Sequence, residues 1–264
     1  MAFIFEVIMK LNKLPLGIYS IAFYLCFVSV NSYAIGLSAF RIYLDSDKPQ
    51  TSFMIYNHDT QPQDCKLLLR HYTYDANGKM SEYKGTEPLP NSADDWIRFS
   101  PKRFVLTPAN NQTVKFMMRR RANSEPDEYP SYVSLDCGAE VKIDKDGKKK
   151  SKLSVAPKLV HNLPIIVRTG KLNAQMTFSD INITNKSVEF TLNRSGSRSV
   201  YGDVQLIDKS SGEVISEAKT ISIYPETTRV AKNLTLDGNN PKQLKLKFVE
   251  DKNYGGTITI EQDL

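Results

Sequence analysis

Between Ser151 and Arg168 the side chains alternate along the chain. Leu153, Val155, Pro157, Leu159, His161, Leu163, Ile165 and Val167 form one row, while Lys152, Ser154, Lys158 and Asn162 on the other row are polar. A period of two over this length describes a strand with one apolar face and does not fit a helix. The run before it, GAEVKIDKDGKKKSK, is lysine-dense and reads as a long solvated loop. A strand emerging from such a loop lies either inside a sheet or at an edge kept open for a partner chain. Its own residues leave both readings open.

The same short period recurs along the rest of the chain. Gly36 to Leu44, Thr51 to Tyr56, Cys65 to Tyr74, Ile97 to Phe99, Arg103 to Leu106, Thr113 to Arg119 and Tyr129 to Cys137 alternate in the manner of strands. Turn residues separate them about every ten positions, among them DSDKPQ, Asn77-Gly78, Pro101 and Pro108. No helical period is sustained over three turns. An antiparallel immunoglobulin-type sandwich is the fold expected for residues 35–168. Thr169 to Asn173 carries few core residues, so a hinge is expected at 169–174. A second series from Gln175 to Glu261 predicts another β-sandwich over 175–264, giving an all-β, two-domain chain.

The N-terminus has the pattern of an export signal. Lys10 and Lys13 precede an apolar run from Leu14 to Val30, and Ser32-Tyr33-Ala34 predicts cleavage after Ala34. No second apolar segment follows, so no membrane insertion is expected. Cys26 leaves with this segment. The 230 residues that remain hold Cys65 and Cys137, and an even, minimal count in an oxidising compartment argues for one disulfide over a pair of free thiols.

Four pieces, taken in order, resemble a known family: WIRFSPKRFVLTPANNQTVKFMMRR, EPDEYPSYVSL, NLPIIVRTG and NYGG. Together they are similar to the PapD-like periplasmic chaperones of the chaperone-usher pathway. NLPIIVR with the glycine after it is closer to the alternative or archaic branch. The resemblance implies two immunoglobulin-like domains in an L or boomerang arrangement. It also implies that the last strand of the first domain enters a groove in an incomplete pilus or fimbrial subunit, supplying Leu153, Val155 and Leu159. Such strand addition satisfies an open edge and buries apolar surface at once.

The resemblance further implies a basic pair in the cleft that holds the subunit's terminal carboxylate. Arg41 matches the first member; read from its residues alone it would point to solvent from an edge strand. The family's second member, a lysine, falls at Pro164, and Lys158 is the nearby substitute. An inter-domain ionic cluster is implied at Glu128 and Arg168, with Asn253 or the adjacent Asp251 as third member. Cys65 and Cys137 face each other if their strands pair antiparallel as in this fold. The implied partners are subunits and an outer-membrane usher, in the periplasm, with self-capping of the free chain by a second copy left open.

Enzyme chemistry has no support in the pattern. His58, His71 and His161 lack ligand partners at metal-binding spacing, no nucleophile elbow or phosphate loop occurs, and Asp94-Asp95 reads as a loop feature. No metal or cofactor is expected. The formal charge of +6, concentrated at Arg119-Arg120-Arg121 and Lys148-Lys149-Lys150, suits an anionic partner. Export argues against nucleic acid, and a solvated face that discourages self-pairing is the simpler reading. The alternative function is a secreted immunoglobulin-like adhesin or fimbrial subunit, although no alternating donor extension precedes the first strand.

Overall fold

The computed structural model describes residues 35–74, 79–85, 89, 91–119, 125–139, 159–236 and 243–264. The export signal over residues 1–34, the donor residues Leu153 and Val155, and Lys158 lie outside them. Eleven strands precede residue 170: β1 (Ile35–Leu37), β2 (Ile42–Leu44), β3 (Gln50–Asn57), β4 (Gln63–Arg70), β5 (Tyr72–Tyr74), β6 (Met80–Glu82), β7 (Ile97–Ser100), β8 (Arg103–Leu106), β9 (Asn111–Met118), β10 (Asp127–Ala139) and β11 (Leu159–Thr169). Seven follow: β12 (Ala174–Ile183), β13 (Ser187–Gly196), β14 (Val200–Asp208), β15 (Val214–Ile223), β16 (Arg229–Thr235), β17 (Leu244–Glu250) and β18 (Thr259–Asp263).

Alternation fixes which face each strand buries. In β17, Leu244, Leu246 and Phe248 are buried while the lysines between them are only partly covered, and Val188, Phe190 and Leu192 do the same in β13. The first series forms sheets ordered β1-β3-β9-β7 and β2-β11-β10-β4-β8, with β5 and β6 as a separate antiparallel pair. That is the immunoglobulin arrangement, first strand to third in one sheet and last strands beside the fourth in the other. Phe53, Phe99 and Phe116 stack in the core, with ring centroids 5.4–5.7 Å apart. They meet Leu67, Val133, Leu135, Ile165 and Val167 from the opposite sheet. The second series forms sheets ordered β12-β13-β16 and β15-β14-β17-β18 around a separate apolar core.

Two strand readings change. The run from Gly36 to Leu44 is not one strand: it breaks at Ser38–Arg41 and its halves join different sheets, β1 beside β3 and β2 beside β11. The run from Cys65 to Tyr74 divides at His71 into β4 and β5. Cys65 and Cys137 are direct antiparallel partners on β4 and β10, and they are disulfide-bonded with Cα atoms 4.1 Å apart. The bridge therefore lies within one sheet.

Candidate functional site

The edge of β11 is the starting point. On one side it pairs with β10 along its whole length, from Leu159 opposite Cys137 to Thr169 opposite Asp127. On the other side β2 runs parallel to it and covers only Ile165 to Val167. Among the described residues nothing pairs with that edge from 159 to 164. Ile42 is the partner of Ile165, so one step back in the same parallel register Arg41 falls beside Pro164, where the open edge ends.

Arg41 is 5 % exposed, which overturns its reading as a solvent-facing edge residue. Its Nη2 donates to Ser222 Oγ at 2.9 Å and to the Tyr224 phenol at 3.0 Å. The guanidinium lies 4.2 Å from the centre of the Tyr201 ring and 5.7 Å from that of Tyr224. Its Nε is buried without a hydrogen bond. Hydroxyls and rings thus surround the charge, and among the described residues no carboxylate pairs with it. A buried cation in that condition keeps an unmet demand for an anion.

Around Tyr224 the phenols cluster. Tyr74 stacks on Tyr224 with ring centres 5.2 Å apart, and the Tyr74 and Tyr132 hydroxyls are hydrogen-bonded. Tyr132 is the cross-strand partner of Pro164. Burial, followed by the neighbouring Tyr224, raises the Tyr132 phenol far above its ordinary pKa, and burial also raises Tyr74. Tyr132 and Tyr74 therefore stay protonated at neutral pH and can donate hydrogen bonds.

Arg168 has a different environment. Its Nε donates to Glu128 Oε2 at 2.8 Å, and Glu128 accepts from the Ser199 backbone N–H at 3.0 and 3.1 Å. Arg168 Nη2 returns a bond to the Ser199 carbonyl at 2.9 Å. One ion pair from the first sandwich thereby holds both backbone groups of a residue in the β13–β14 turn of the second. Burial works against the Arg168 charge, but the Glu128 carboxylate and its hydrogen bond more than offset this, leaving the guanidinium pKa raised.

The expected third member of this cluster needs correction. Asp251 instead accepts from the Asn253 backbone N–H at 2.8 Å and caps the turn Lys252–Tyr254, and the Asn253 carbonyl accepts from Lys48. Nearby the second sandwich contributes its own buried pair, Arg198 with Glu250, whose carboxylate also accepts from the Thr257 and Ile258 N–H groups at 2.8 and 3.1 Å. Nothing in the local sequence marks Arg198 as buried, whereas Glu250 continues the buried row of Leu244, Leu246 and Phe248. NYGG has a steric reason: Gly255 is left-handed (φ 73°), and a Cβ there would strike the Tyr43 phenol, over whose ring Arg168 sits at 5.1 Å.

His71 is not isolated, and Asp94 is more than a loop carboxylate. His71 Nε2 lies 3.1 Å from Asp94, and Ser131 Oγ lies 3.4 Å from both His71 Nδ1 and Asp94. Ser131 is 2 % exposed and its oxygen accepts the Ala93 N–H at 2.9 Å, so the trio ties a loop to β10. Among the described residues no cluster of metal-ligand type occurs.

No family model matches the sequence, and no curated protein is significantly similar to it. Solved structures are similar. The class 5 fimbriae chaperone CfaA is 14 % identical, with 87 % of this chain and 98 % of that one covered and a TM-score of 0.48. The CupB2 chaperone of Pseudomonas aeruginosa is 11 % identical, covering 87 % and 100 %, with a TM-score of 0.47. The SafB chaperone, solved with the Salmonella enterica SafA pilin, comes from a complex matched at 11 % identity, covering 89 % and 99 %, with a TM-score of 0.44.

Proposed function

We propose that this protein is a periplasmic chaperone that captures pilus or fimbrial subunits by lending them a strand, then passes them to an outer-membrane usher. The observation that carries this reading is Arg41, a buried cation that among the described residues has no anionic partner and stands at the end of a strand edge that none of them pairs. Direction follows from register. A strand added along 159–164 in the same line and sense as β2 ends where β2 begins, so its carboxyl terminus meets Arg41. An antiparallel strand would bring an ammonium to the same point, and like charges would oppose it. The site therefore favours a parallel strand that finishes there, and an arginine fork suits its terminal carboxylate.

Further toward the N-terminus of the same strand, Leu153, Val155 and Leu159 supply the apolar row for the subunit's groove, each contributing roughly 1.5–3 kcal/mol when buried. Arg168, Glu128 and Ser199 hold the second sandwich against the first, so residues 169–174 act as a short fixed link between the domains at 35–168 and 175–264. Residues 1–34 direct export.

The test is to purify the exported protein from the periplasm and identify what accompanies it by mass spectrometry. A roughly equimolar β-rich protein, lost from a folded Arg41→Ala variant, is the expected result. A protein that comes alone, or is recovered in surface fibres, overturns the reading in favour of an adhesin or structural subunit.

A further inference from the structure

Beside Arg41 lies a concave pocket of about 310 Å³. Tyr74, Tyr132, Pro164, Ile166 and Tyr224 line it, so its wall is mostly aromatic and aliphatic. His71 and Glu226 mark its polar side. Tyr224 belongs to both features, since it accepts the Arg41 hydrogen bond and also walls the pocket. Pro164, beside which Arg41 falls in the register of β2 and β11, lines the pocket, and Tyr132 is the residue across the strand from it.

We propose that this pocket selects the last residue of the client, taking an apolar or aromatic side chain while the carboxylate of the same residue rests on Arg41. The inference rests on the reading of Arg41 as the carboxylate anchor. Occupant and pocket match in three respects. A chain end reaching Arg41 passes Pro164 and Tyr224, so its last side chain has this cavity within reach. The volume of about 310 Å³, at the lower end of ligand pockets and about twice the ~150 Å³ that holds a benzene ring, admits a large aromatic side chain. Glu226 in the lining disfavours an acidic side chain, while the phenol hydroxyls add donors for a carboxylate.

The probes are N-acetylphenylalanine, N-acetylglycine and N-acetylphenylalaninamide, titrated into the full exported chain and followed by NMR at the Tyr132 and Tyr224 rings. N-acetylphenylalanine is expected to bind at least ~10-fold more tightly than N-acetylglycine. Thr73→Trp, at an exposed lining position, is expected to reduce that preference to near unity while leaving N-acetylglycine unchanged. Arg41→Ala should weaken both acids by the same factor. Equal affinity for the two acids in the unmodified protein overturns the pocket and leaves the anchor standing. An amide that binds as well as its acid, or no binding of either acid, overturns the anchor itself.

Discussion

Arg41 and Arg168 are both buried, both come from the first sandwich and both touch the second, yet their environments are opposite. Arg168 meets a carboxylate 2.8 Å away and a backbone carbonyl, with Glu128 closing the circuit through the Ser199 N–H. Arg41 meets one serine hydroxyl, one phenol and two ring faces. Folding alone explains the first arrangement. It does not explain the second, because a buried charge without a counter-charge opposes folding and persists only where another demand keeps it. Arg168 joins the domains, whereas the role proposed for Arg41 is to take an anion from outside.

The largest effect should come from breaking the matched pair. Arg168→Met leaves Glu128 buried without a cation, and denaturant unfolding should show a loss of roughly 3–5 kcal/mol. A loss below about 1 kcal/mol would remove the distinction between the two arginines. Alkaline pH gives the next effect and acts on both regions. Tyr43 beside Arg168 is raised above its usual pKa by burial and then by its hydrogen bond to Asp45, and Tyr132 beside Arg41 by burial and then by Tyr224. The folded state holds these protons more tightly than the unfolded chain, so their stabilisation is complete below about pH 10 and falls as pH rises above it. Urea midpoints should be flat from pH 7 to about 9.5 and then decline, less steeply in Tyr132→Phe. A midpoint unchanged to pH 11 would contradict the buried, protonated phenols. The smallest effect belongs to Arg41→Met, which exchanges an unmatched charge for an apolar chain and should alter stability by about 1 kcal/mol or less, in either direction. A large loss would make Arg41 a structural residue like Arg168.

Much of the fold was legible because a sheet buries alternate residues, so the runs in β13, β14 and β17 reveal their buried face without tertiary information. The split of Gly36 to Leu44 was not, since leaving one sheet for another is settled by neighbours distant in sequence. The site divides in the same way. Cys65 and Cys137 follow from their even count, Glu128 and Arg168 only from the family resemblance, and strand register brings each pair together. Ser222, Tyr224 and Tyr201 around Arg41 come from the second sandwich, more than 150 residues away, and no local pattern points to them. Arg198 looks like a surface charge in sequence because it is isolated among polar residues, whereas Glu250 continues the buried row of Leu244, Leu246 and Phe248 in β17, and Gly256 lets the backbone close over its side chain.

Side-chain nitrogen NMR of the arginines, recorded while N-acetylglycine is added to the full exported chain, compares the two sites in one sample. The Arg41 guanidinium signals should move and saturate with the acid, stay still with N-acetylglycinamide, and the Arg168 signals should not respond to either. Arg41 signals that ignore the acid, or that move no more than those of Arg168, would mean that the buried charge is not an anion site.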